Sequence, residues 1–173
     1  MPSKSAGRVL VPEFLTPRVN GIVCAARASA PAQALALAEG LAMELSDSHG
    51  PVHAHTLHAV ELVAFCAQLA GRPVTATDAG IRAATGWLCS LPKDDRQVRR
   101  QVRNAFASWF TVDDAAEAVR TGHLLLALLT SVYGPSHPAG HRVEQRLQAV
   151  TGPDETAAAE ALRPSGPALS LRP

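Results

Sequence analysis

No stretch of the 173 residues alternates apolar and polar side chains cleanly enough to make a half-buried strand. Apolar residues recur instead at helical spacing along nearly the whole chain. Val19, Ile22, Val23 and Ala26 follow Thr16-Pro17 on one face. Leu35, Ala38, Ala42 and Leu45 form a second stripe after Pro31, and Leu57 to Leu69 make a third, strongly apolar segment. Thr77 and Asp78 open a short fourth helix that ends near Gly86. Val98, Val102, Phe106 and Trp109 mark a fifth, from Asp94 to about Phe110, and Val143 and Leu147 mark one that closes at Gly152. The pattern predicts an all-α fold, a compact bundle of about eight helices.

The side chains available agree with that reading. With two Trp, one Tyr and four Phe, the core is built from Ala, Leu and Val, which suits closely approaching helices better than a β-sandwich. A hydrophobic fraction of 47% argues against wholesale disorder. The net charge of +1 gives no chain-wide drive toward nucleic acid or an anionic membrane, so any basic surface is local. Cys24, Cys66 and Cys89 show no CxxC spacing and read as reduced core residues of a cytoplasmic protein. The longest apolar run is shorter than the ~20 residues that a membrane-spanning helix needs, so no membrane is expected as a partner. The division read from the sequence is a leader at 1–14, one helical domain at 15–163 and a disordered tail at 164–173.

The most apolar run, Val119 to Leu129, reads VRTGHLLLALL. Thr121 suits a helix N-cap, with His123 in the first turn and the leucines burying the helix behind it. Sliding the chain by 67 residues lays Leu35, Ala38, Ala42 and Leu45 over Val102, Ala105, Trp109 and Val112. The same slide lays Val52, Leu57 and Leu62 over Val119, Leu124 and Leu129, a hint of internal duplication with repeats at about 30–92 and 93–160.

The order Val-x-Thr-x-His-Leu-Leu-Leu-x-Leu-Leu resembles the second helix of a Clp repeat, two of which form the N-terminal domain of the Clp AAA+ unfoldases. The resemblance implies a pseudo-duplicated helical domain, here with an extra N-terminal helix at 17–29. It implies a non-catalytic protein- or peptide-binding module, an adaptor or a decoy beside a Clp-type AAA+ unfoldase. Its partners would be that motor, its substrates or a cyclic-peptide ligand. The surface implied is the edge formed by two bends, at Val52, His53 and His55 and at Arg120, Thr121 and His123. Family members that bind phosphorylated arginine use a glutamate between the threonine and the histidine. Here Gly122 stands in that place, and His55 in the first copy, so neither offers a carboxylate to a guanidinium. The 173 residues contain no GxxxxGK[ST] phosphate loop, so a free-standing docking domain without the motor is implied.

Two further constellations compete. His55, His58 and Glu61 lie at three-residue steps, reachable by a single divalent ion if a helix begins near Ala54. Residues 74–106 can be read as a helix-turn-helix, with Arg96, Arg99, Arg100 and Arg103 on the face opposite Val98, Val102 and Phe106. The same arginines suit docking to an acidic protein. No Ser-His-Asp set, Cys-His pair or paired carboxylates stand at catalytic spacing, so the expected function is not enzymatic and needs no cofactor.

Overall fold

The computed structural model describes residues 12–161, with side chains through Gly152. Among the described residues there are seven α-helices and no strand. A single 3-10 turn, Glu13–Leu15, leads into α1 (Thr16–Arg27), α2 (Pro31–His49), α3 (Ala54–Leu69) and α4 (Pro73–Leu88). α5 (Arg96–Trp109), α6 (Ala115–Tyr133) and α7 (Pro138–Ala161) complete the chain. The count is seven where about eight were expected; α7 runs on to Ala161 past Gly152, which breaks the helical geometry at φ 52°, ψ 170°. Leu15 is buried, so the leader read over 1–14 gives way to ordered structure by Glu13; 1–11 and the tail at 164–173 lie outside the described residues.

Two hydrophobic cores share one wall. Ile22, Ala34, Ala38, Leu41, Leu45, Val60 and Cys66 gather α1, α2 and α3 around Ala79 and Ala83 of α4. Trp87, Val98, Val102, Trp109, Leu125, Leu129 and Val143 gather α5, α6 and α7 around the other side of α4, joined by Leu57 from α3. Ala83 and Ala84 are consecutive, yet each is buried in a different core. A helix covered on both flanks has room only for small side chains, and α4 meets this with Ala76, Ala79, Gly80, Ala83, Ala84 and Gly86. At Gly80 an added Cβ would stand 3.0 Å from Ala105 Cβ, which sets how closely α5 lies against α4.

Two helix starts differ from the sequence reading for the same reason. α4 begins at Pro73, and Thr77 lies inside it, donating its hydroxyl to Pro73 O at 2.8 Å. α6 begins at Ala115, capped by Asp114 accepting from Glu117 N at 2.9 Å, and Thr121 donates to Glu117 O at 2.5 Å. A buried threonine satisfies its hydroxyl on the carbonyl four residues back and so need not start a helix. The leucine run is not buried all round either: Leu124 is 49% exposed. The cysteines are free, but only Cys66 is buried, where burial pushes its thiol pKa up; Cys24 and Cys89 are exposed. No described helix is long and apolar enough to cross a membrane.

Candidate functional site

α3 forms the floor of an open groove, with the 3-10 turn, α1 and α2 on one side and α5 on the other. The groove holds about 750 Å³. Its first wall is apolar, from Leu15, Val19, Leu41 and Leu45, and the floor adds Leu62 and the half-exposed ring of Phe65. Its second wall is polar: Gln97, Arg100, Gln101, Asn104 and Ser108 project from α5, meeting Glu61 and Gln68 of α3. Their spacing along α5 puts them on one face beside the buried stripe.

Glu61 organises the polar side. It accepts from Trp87 Nε1 at 2.7 Å, from Arg100 at 2.9 Å and from the Gln97 amide, and His58 Nδ1 stands 3.6 Å away. Burial pushes its pKa up, but the close approach of His58, the hydrogen bond from Trp87 and the charges of His58 and Arg100 outweigh that, and the direction is down. Glu61 is therefore a carboxylate at neutral pH. Gln68 Nε2 donates to Ser108 Oγ at 2.6 Å, tying α3 to α5 farther along.

Gln101 is different. Only 2% of the residue is exposed, and among the described residues its side-chain amide makes no hydrogen bond. It lines the groove, so the two donors and one acceptor of this amide are offered there. What exposure the amide keeps faces the groove, where water, or a ligand with matching groups, can pair it.

The residues read from the sequence fall in several places. Val52 and His53 lie in the turn before α3, and His55 in its first turn; His55 alone of the three lines the groove. Arg120, Thr121 and His123 lie inside α6, not in a bend, and none lines the groove. Arg120 forms ion pairs with Asp78 of α4 and Glu117 at 2.7 Å each, which hold its pKa above the usual arginine value. Thr121 is fully buried, and His123 is exposed. His55 and the three residues of α6 thus do not share the groove.

The arginines of α5 divide. Arg100 turns to the groove and Glu61, whereas Arg96, Arg99 and Arg103 border a second depression on the other side of the helix. The four do not form the single face expected of a recognition helix.

The metal triplet does not assemble. His58 pairs with Glu61 and packs edge-on against Trp87, with ring centroids 5.1 Å apart. His55 instead clusters with His53 and His49, at 4.8 and 5.9 Å between centroids. His53 Nδ1 accepts from His55 N at 3.2 Å, capping α3. A metal on His53 Nε2 would require a proton on Nδ1 and so break that cap. Among the described residues no three His, Cys, Asp or Glu side chains are placed to hold one metal ion.

Sequence reasoning missed Gln68, Gln97, Gln101 and Asn104. One signal was present: Gln101 stands within the buried stripe of Val98, Val102 and Ala105, where a polar side chain calls for a partner. The chain matches no family model and no curated protein.

Proposed function

We propose that this chain is a non-catalytic binding module that holds an extended peptide segment in the groove over α3, resembling the N-terminal domain of Clp unfoldases. The observation that carries the reading is the pairing of an apolar wall with the amide of Gln101, which faces the groove and makes no hydrogen bond among the described residues. Peptide main chain offers alternating donors and acceptors, and an amide answers both. Leu62, Phe65 and Val19 offer contact area to an apolar side chain of the same peptide.

The burial pattern supports two related three-helix units. Ala34, Ala38, Leu41, Ala42 and Leu45 correspond to Gln101, Ala105, Ser108, Trp109 and Val112, all buried. In the next helix Thr56, Leu57, Val60, Val63, Ala64 and Ala67 correspond to Thr121, Gly122, Leu125, Leu128, Leu129 and Val132, again all buried. Ala76, Ala79 and Ala83 then correspond to Gly140, Val143 and Leu147. This register differs slightly from the 67-residue slide, which sets buried Leu57 over exposed Leu124. It aligns Thr56-Leu57-His58 with Thr121-Gly122-His123, so the middle position of the first copy is Leu57 and not His55. At Gly122 an added Cβ would stand 2.7 Å from Leu147 Cδ2 and 2.8 Å from Trp109 Cζ2. The carboxylate that the family uses has no room there, and recognition would rest on the groove.

The test is a pull-down of the tagged chain from its own cell lysate, with and without nuclease, beside the Gln101→Leu and Phe65→Glu variants. Recovery of a Clp-type ATPase, its peptidase or its substrates by the parent chain, lost in both variants, supports this function. Nuclease-sensitive recovery of DNA-associated proteins with no Clp component would replace it with the regulator reading of 74–106.

A further inference from the structure

The depression on the far side of α5 from the groove is built differently. Its volume is about 790 Å³, and Arg96, Arg99 and Arg103 stand along its edge. Among the described residues none of these three makes an ion pair. From α7, Arg142 lies 5.3 Å over the ring of Phe106, which lines the depression. Opposite stand Tyr133 and His137, stacked with ring centroids 4.4 Å apart. His137 Nδ1 accepts from Ala139 N at 3.2 Å, which leaves Nε2 to carry the proton and act as a donor. Among the described residues, Asp94 is the one carboxylate lining this depression.

We infer that this depression docks an acidic, amphipathic segment of a partner protein, with its carboxylates on Arg96, Arg99 and Arg103 and its apolar side chains against Phe106 and Tyr133. Charge complementarity is the first argument. Three guanidiniums of α5 line a site where, among the described residues, Asp94 is the one carboxylate, and guanidiniums bind carboxylates bidentately. Spacing is the second: Arg96 to Arg103 spans about 10 Å of helix, the same rise that separates carboxylates two turns apart on a partner helix. The third argument decides against a nucleic-acid strand. Asp94 would repel phosphate at one end, and a chain of net charge +1 has no extended positive field to hold a polyanion.

The docking site is independent of the groove, and its test keeps the two apart. A fluorescein-labelled peptide of about 12 residues, alternating Glu pairs with Leu pairs, is titrated with the full chain at about 50 and 200 mM salt. A labelled oligothymidylate of similar length is titrated in parallel. The peptide is expected to bind, to weaken about tenfold or more in the Arg99→Glu/Arg103→Glu double variant, and to bind unchanged to Gln101→Leu. Thermal melts show whether the double variant is folded; should it not fold, Arg99→Gln/Arg103→Gln takes its place. Absence of peptide binding, or binding indifferent to both pairs of substitutions, overturns the inference. Tighter binding of the oligothymidylate than of the peptide would assign the arginines to nucleic acid instead.

Discussion

Trp87 donates its indole N–H to Glu61 at 2.7 Å, from the shared wall of α4 to the floor of the groove. Replacing Glu61 by Leu would leave that indole and the Gln97 amide without their acceptor. Hydrogen bonds to a charged group contribute about 1.5–3 kcal/mol each, partly redundant here because they share one carboxylate. Glu61→Leu is expected to lower the urea midpoint at pH 7 by an amount equivalent to about 2–3 kcal/mol. Since the carboxylate pKa is lowered in the fold, its stabilisation is complete above the ordinary value of 4.5 and is lost as pH falls through the folded value. The parent chain should therefore lose stability toward pH 3 more steeply than Glu61→Leu does, as acid-side urea melts will show.

The histidine cluster acts at a higher pH. His55 has its pKa lowered, first by burial and then by the charges of His53, His49 and His58, and its Nδ1 is buried without a partner. An imidazole that protonates less readily folded than unfolded adds stability above the ordinary value of 6.5, and that stability is lost as pH falls through the folded value. The urea midpoint of the parent chain is expected to drop between pH 7 and pH 5. His55→Phe, which keeps a ring against Phe14, should flatten that drop.

Gly122 tests the packing of the second core. A methyl group at that position would press on Trp109 and Leu147, and both flank α6 from inside a filled core. Gly122→Ala is expected to destabilise by about 1–3 kcal/mol, although alanine is the better helix former. A rise in stability, read from denaturant melts followed by tryptophan fluorescence, would mean that Trp109 yields freely.

The start of α6 gives a fourth test. Asp114 caps the helix, so Asp114→Ala should cost about 1 kcal/mol in the same melts. Thr121→Val keeps the buried shape and removes a hydroxyl whose acceptor, Glu117 O, is already the i−4 carbonyl of the helix. Its cost should be below that of Asp114→Ala; were Thr121 the cap, the order would reverse.

The helical class was legible because stripes such as Ala38, Ala42 and Leu45 repeat at one spacing and nothing alternates. Helix starts were less so, since Thr77 and Thr121 carry the chemistry of caps and use it on carbonyls within their own helices. The groove was the least legible. Its floor and polar wall come from α3 and α5, and Gln68 meets Ser108 only because α4 brings those helices side by side. Periodicity reports which face of a helix is covered, but not which distant helix covers it. The arginines of α5 show the same gap: counted along the chain they form one basic run, while in the fold Glu61 draws Arg100 away from the other three.

The neighbours Ala83 and Ala84 are anchored in opposite cores, so no rigid displacement of α4 can relax one core without straining the other. Among the described residues, the two hydrophobic centres have no seam along which they could part. Loss of either leaves half the surface of α4 facing water, and the molecule should melt in one transition, with calorimetric and van't Hoff enthalpies in agreement.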